Sequence, residues 1–144
     1  MLQIHDMQKE NLGQIAQIEK ASFSMPWSEK SFEEVLDNPN AFYVVAEEEG
    51  RVTGYCGAYL ILDEADVNQV AVDSSRRNQG IGKKLMEALL ERLKQAGASA
   101  VTLEVRKSNR AAIALYESLG FVTEGIRKNF YEKPVEDALI MWKR

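Results

Sequence analysis

Gly80 and Gly82 stand between a strand-like run, Val70-Ala71-Val72, and a segment with helical spacing in which Ile81, Leu85, Leu89 and Leu93 form one stripe. Lys83, Lys84, Glu87, Glu91 and Lys94 fall outside that stripe, so the segment reads as an amphipathic helix that Gly97 ends. A glycine turn joining a strand to a helix organises what lies around it. Val101 to Val105 is the next strand, Ser108-Asn109 can cap a helix running to about Leu119, and Gly120 stops that helix before Phe121-Val122 starts another strand. Ala138 to Trp142 is the last strand. Upstream, the chain is expected to open with helices. Residues 8–21 place Leu12, Ile15 and Ile18 near one face, and a second helix starts after Pro26-Trp27 with Ser28 as its cap. Phe42 to Ala46 and Val52 to Leu62 then read as a hairpin turning at Glu49-Gly50. This order predicts an α/β (α+β) fold in one domain over residues 1–144, a mixed central sheet flanked by helices.

The same turn suits an anion. Gly80 and Gly82 let the backbone approach a ligand without a Cβ, and the start of a helix carries unpaired N–H groups and the positive end of its dipole. Arg76 and Arg77 precede the turn, and Lys83 and Lys84 follow it. A diphosphate is the natural guest, but the dinucleotide fingerprint needs a third glycine where this chain has Leu85. A Walker loop fails as well, because it needs Gly where the chain has Arg77 and Ser or Thr where it has Lys84. A tight strand-to-helix turn that binds nothing is the plain alternative.

Composition narrows the classes further. Eighteen Lys and Arg against 22 Asp and Glu give a net charge of −4, which argues against a general nucleic-acid binder. The charge is unevenly spread: residues 1–66 carry 13 acids and 4 bases, a net −9, and residues 67–144 carry 9 acids and 14 bases, a net +5. One half could suit a cationic partner and the other an anionic one, unless the split is ordinary variation in surface charge. Cys56 is the single cysteine and His5 the single histidine, so neither a disulfide, a thiolate zinc cluster nor a His-rich metal site is expected. No run approaches the apolar length of a membrane helix, and the N-terminus has no signal-peptide core. A soluble cytoplasmic protein, without a membrane or direct nucleic-acid partner, is the expectation.

Arg77-Asn78-Gln79-Gly80-Ile81-Gly82 matches the R/Q-x-x-G-x-G/A signature of the GNAT (general N-acetyltransferase) superfamily and lies where that fold puts it, after a Val-rich strand and opening a helix. Leu103-Glu104-Val105-Arg106, Ser108-Asn109 and the run from Ala111 to Phe121 closely resemble the RimI-type N-terminal alanine acetyltransferases. Pro26-Trp27-Ser28-Glu29-Lys30, Arg127-Lys128-Asn129-Phe130-Tyr131 and Glu136-Asp137-Ala138 extend the likeness over nearly the whole chain. The chain departs from that pattern in a shorter turn from Tyr131 to Glu136 and in Phe130, where Tyr is frequent.

The resemblance implies an acyl-CoA N-acyltransferase fold and a transferase that moves acetyl from acetyl-CoA, as cosubstrate and without a metal, to an α-amine. For the RimI type, the acceptor is the N-terminal alanine of a small-subunit ribosomal protein, a basic peptide. Carried over by position, Val70, Ala71 and Val72 contact acetyl-CoA through their backbone. Arg77, Asn78, Gln79, Gly80, Ile81, Gly82 and Lys83 hold its pyrophosphate, and Asn109 touches its pantetheine arm. Glu104 matches the general base and Tyr116 the general acid.

The chemistry asks for such a pair. An α-amine has a pKa near 7.7–8.0 and must lose a proton before it attacks a thioester. Alternation points Glu104 to the face opposite Leu103 and Val105, where apolar surroundings would raise its pKa towards that of a working base. A phenol can protonate the departing thiolate. From pattern alone, Glu104 also reads as an ordinary strand glutamate and Tyr116 as a core aromatic. A backbone N–H in the 70–72 segment is the candidate to serve the developing oxyanion, especially if a bulge there leaves it unpaired. Cys56 lies away in sequence from every matched position, so direct transfer in a ternary complex is expected rather than a covalent enzyme intermediate. Two other functions stay open: acetylation of a lysine side chain or small amine such as a polyamine, and a non-catalytic CoA-binding module. Glu104 and Tyr116 together speak against the latter.

Overall fold

A computed structural model describes residues 1–144. The elements run β1 (Leu2–Asp6), α1 (Leu12–Ser22), α2 (Glu29–Leu36), β2 (Ala41–Glu48), β3 (Arg51–Ile61), β4 (Glu64–Val72), α3 (Ile81–Gln95), β5 (Ala100–Arg106), α4 (Arg110–Ser118), β6 (Val122–Tyr131) and β7 (Glu136–Lys143). The mixed sheet with flanking helices is as the element order predicts. The opening is not: the chain begins with a strand rather than a helix. β1 pairs antiparallel with β2 at the sheet edge, and only that partner makes the short Leu-Gln-Ile-His-Asp run a strand.

All seven strands form one sheet in the order β1-β2-β3-β4-β5-β7-β6. Every neighbouring pair is antiparallel except β4 with β5, which α3 connects as a crossover. Glu49 and Gly50 both take positive φ, 51° and 79°, which lets β2 turn tightly into β3.

The two faces are buried differently. α3 packs Ile81, Leu85, Met86, Leu89 and Leu93 against Val44, Cys56, Val67 and Leu103, and Tyr116 and Phe121 complete that core from α4 and the start of β6. Leu85, Leu89 and Leu93 have no exposed surface, and each such burial stabilises the fold by roughly 1.5–3 kcal/mol. On the other face, α1 and α2 cover β2, β3 and β4 with Ile15, Phe32, Tyr43, Val45 and Tyr55. Phe32 meets Tyr55 edge-on at 5.6 Å. The Ser28 side chain accepts the Ser31 N–H and starts α2, as expected of its cap.

The β4–β5 pairing sets up everything that follows. It runs from Glu64 opposite Ala100 to Val67 opposite Leu103 and then stops. Beyond that point β4 continues to Val72 paired only with β3, and β5 continues to Arg106 paired only with β7. Two strand edges thus face each other without a ladder, and a cleft opens between them.

Candidate active site

A cavity of about 710 Å³ fills that cleft, lined among others by Val70, Glu104, Asn109, Tyr116 and Tyr131. Residues from β4, β5, α4 and β6 thus share one space, and both members of the expected acid–base pair are among them. The α1–α2 loop, with Phe23, Met25 and Trp27, closes one side, and the β6–β7 turn closes the other. Arg106 fastens that turn: its guanidinium donates to the carbonyls of Glu132 and Pro134 and lies 4.4 Å from the centre of the Tyr131 ring. Glu136 accepts the Ser108 N–H at 2.6 Å and ties the same turn to the start of α4. Ser108 and Arg106 hold its carboxyl below the usual carboxylate range.

The Glu104 side chain is 24% exposed and projects, as alternation predicts, away from the Leu103 and Val105 face. Its surroundings are not simply apolar. Burial raises its pKa, the Arg127 guanidinium 3.0 Å from Oε2 opposes that rise, and Asp66 adds to it. Oε2 is closed to solvent and accepts no aligned hydrogen bond. Buried acceptors are normally satisfied, and here the Arg127 ion pair stands in place of an aligned hydrogen bond. Tyr116 is 6% exposed and packs edge-on to Phe121 at 5.9 Å. Burial pushes its phenol well above the ordinary range, so it holds its proton at any working pH.

The glycine turn lies at the end of β4. Gly80 takes φ 78° and Asn78 φ 64°, and no side chain caps the first amides of α3. A Cβ at Gly80 would meet nothing within 4 Å, so the space beside this glycine is unfilled. Ile81 itself is core, leaving only its backbone for such a role. Arg77 lies to one side, lining a shallow depression with Arg51 and Asp73. Arg76 is already engaged: it pairs with Glu48 at 2.7 Å and donates to Gln79 at 3.1 Å, so it adds less free positive charge than its position in the chain implies. Asn109 spends its carbonyl oxygen on the Ala112 N–H as the cap of α4 and keeps its NH₂ for the cavity.

One expectation needs correction, and one residue lies nearer the site than its position in the chain suggests. The bulge in β4 falls at Asn68, where Gly57 pairs with Gln69 and Ala58 with Val67, and not within residues 70–72. Those residues keep their β3 ladder, and their free edge comes from the parting of β5 instead. Cys56, remote in sequence, pairs with Val70 and belongs to the core that contains Tyr116. It is wholly buried, and burial pushes its thiol up, which keeps it unreactive as a nucleophile.

Glu19 is a site residue that sequence reasoning missed. It is 1% exposed, lines the cavity, and accepts the Trp27 N–H at 2.9 Å and the Tyr55 hydroxyl at 2.5 Å. Burial raises its carboxyl. The readable signal was an acid at the i+4 position from Ile15 and the i+7 position from Leu12, on a stripe that should be apolar.

Comparison with known proteins agrees with this geometry. The acetyltransferase (GNAT) family model matches residues 12–121. A ribosomal protein bS18-alanine N-acetyltransferase of Escherichia coli (strain K12) is 41% identical over 128 residues, covering 86% of this chain and 84% of that protein. One from Haemophilus ducreyi (strain 35000HP) is 36% identical over 143 residues, covering 96% and 97%. The crystal structure of the ribosomal-protein-S18-alanine N-acetyltransferase from Escherichia coli superposes with a TM-score of 0.91 at 36% identity, covering 99% of this chain and 93% of that one. The parted strands, the uncapped glycine turn and these relatives lead to one assignment: the chain belongs to the GNAT family of N-acetyltransferases, enzymes whose acetyl donor is acetyl-CoA.

Proposed function

We propose that this chain acetylates the N-terminal alanine α-amine of ribosomal protein bS18, with Glu104 as general base and Tyr116 as general acid. The observation that carries the roles is that Glu104 and Tyr116, from a strand and a helix, line one cavity with the free edge of β4. The acceptor is supported by the relatives of 36–41% identity that bear this activity in their names.

The bound thioester supplies the activated acetyl carbon. Glu104 takes one ammonium proton of the acceptor, the nitrogen forms its bond to the acetyl carbon, and the carbon–sulfur bond breaks as Tyr116 passes its proton to the departing sulfur. The second proton shed by the nitrogen restores Tyr116, and Glu104 returns its own proton to solvent. The amides at the start of α3, with Asn78, Gln79 and Lys83, hold the pyrophosphate, assisted by Arg77. The backbone of Val70, Ala71 and Val72 aligns the pantetheine arm, with the Asn109 side chain against it. Transfer is direct, in a ternary complex.

The test combines identity and roles. Peptides starting with alanine and continuing with the bS18 sequence are incubated with acetyl-CoA and mapped by mass spectrometry; the acetyl group is expected on the α-amine. Acetylation confined to lysine side chains would overturn the acceptor. Glu104→Gln and Tyr116→Phe should each lower kcat at least about tenfold with acetyl-CoA affinity nearly intact, and unchanged turnover in both would overturn the roles.

A further inference from the structure

Glu104 sits in a charged cluster drawn from three strands. Asp66 on β4 pairs with Thr102, two residues before Glu104, so the two carboxylates share a face of the sheet. Arg127 on β6 pairs with Ala138 of β7, and Glu104 pairs with Ile140 of the same strand, so the arginine reaches diagonally across β7 to the same face. The helices α1 and α2 pack on the β2–β4 part of that face. Arg127 has no other ion pair; its side chain is 58% exposed, and its guanidinium lies 5.6 Å from the centre of the Phe130 ring.

The other charged or titratable groups around Glu104 are accounted for. Arg106 on β5 is held by the β6–β7 turn and Glu136, and Tyr131 on β6 stacks on Arg106. β7 offers Ile140, which is apolar. Tyr116 of α4, Glu19 of α1 and the Glu132–Lys133 pair of the β6–β7 turn line the same cavity. Glu19 is engaged by Trp27 and Tyr55, and the opposite charges of Glu132 and Lys133 cancel. Two carboxylates and one guanidinium therefore leave one unbalanced negative charge, the complement of a single ammonium group. The Arg127 contact is close, at 3.0 Å, yet leaves Oε2 without an aligned hydrogen bond.

We propose that Arg127 is a positioning residue that stands in as the cation on Glu104 until the acceptor arrives, and that Asp66 and Glu104 form the site for the acceptor's ammonium group. The proposal rests on Glu104 as the base. The amine then enters protonated, displaces the exposed guanidinium towards solvent and the Phe130 ring, and gives its proton to the carboxylate it has just paired with. Asp66 keeps the pocket attractive to a cation, and an amine that carries no proton gains nothing there. An opposite charge within about 4–6 Å favours the ionised form of a carboxyl and a like charge disfavours it, so Arg127 and Asp66 pull Glu104 in opposite directions.

The experiment is the pH dependence of kcat/KM for a basic, alanine-starting peptide at saturating acetyl-CoA, in the natural chain and in Arg127→Gln, Arg127→Lys, Asp66→Asn and Glu104→Gln. Arg127→Gln removes the stabilising cation and should move the acidic limb up by about one pH unit. Asp66→Asn removes the like charge and should move the limb down, and Arg127→Lys should return it close to its natural position. Acetyl-CoA affinity, measured by calorimetry, should be the same in all. Acidic limbs that stay put in both variants, or that move in the same direction, overturn the proposal, as does an Arg127→Gln variant that loses activity evenly across the pH range. Glu104→Gln separates the two levels: full activity there removes Glu104 as the base, whereas an inactive Glu104→Gln with unmoved limbs removes only the inference about Arg127 and Asp66.

Discussion

At the scale of single residues, Gly57 shows how closely the site depends on its support. A Cβ at Gly57 would lie 2.3 Å from carbon atoms of the Tyr43 ring, its cross-strand partner. That ring donates its hydroxyl to the Asn68 Oδ1 at 2.7 Å, at the bulge of β4. Gly57→Ala should therefore cost about 1–3 kcal/mol in denaturant unfolding, the usual range for overpacking. Combining it with Tyr43→Ala should give a loss smaller than the sum of the two single losses, because the clash is then gone; strict additivity would refute the contact. Residues of this kind mark the limit of what the chain reveals on inspection. Glu104, Tyr116 and Asn109 were legible because each lies in a motif contained within one element. Glu19, Asp66 and Arg127 meet neighbours 8 to 38 positions away, namely Trp27, Tyr55 and Glu104, and Cys56 adjoins the site only through its register with Val70. Periodicity within an element carries no trace of such neighbours.

At the scale of elements, the turn between β4 and α3 depends on Asp73. Its carboxylate accepts the Ser75 N–H at 3.0 Å and the Arg51 guanidinium at 2.8 Å, and these contacts hold its pKa below the ordinary carboxylate value. A lowered folded pKa stabilises the native state above the unfolded pKa, and that contribution is lost as pH falls through the folded value. Asp73→Ala should cost about 1 kcal/mol at neutral pH, a typical capping loss, and the gap to the natural chain should narrow once pH drops below about 4. A gap that stays constant down to acid pH would show that the charge plays no part. The same variant should weaken acetyl-CoA binding, since the turn it anchors leads directly to Gly80. Elements with such local chemistry were the legible ones. Ser28 and Asn109 announced their helices through capping, and Gly97 and Gly120, at φ 99° and 97°, announced their ends. β1 carried no such signal, because its five residues become a strand only through the exposed backbone edge of β2.

For the whole molecule, two properties emerge that no element holds alone. One is the parting of β4 and β5 after Val67 and Leu103, which makes the cleft; either strand read by itself looks regular. The other is the division of charge. The basic half carries the glycine turn with Lys83 and Lys84 exposed beside it. The acidic half carries α2, the helix that follows the cavity's α1–α2 loop, whose Glu29, Glu33 and Glu34 are exposed, as is Asp37 just after it. Not every acid is free, since Asp63 is tied to Ser99 at 2.8 Å. If the remaining field draws a basic acceptor, its effect must weaken as salt shortens the screening length to about 10 Å at 0.1 M. At saturating acetyl-CoA, raising the salt from about 20 to about 200 mM should lower kcat/KM for an alanine peptide with a basic continuation by at least about threefold. An alanine peptide with a neutral continuation should change little, because its terminal ammonium sees mainly the local pair Glu104 and Asp66. Equal salt dependence for both peptides would reduce the acidic half to ordinary solvated surface and leave recognition to the cavity alone.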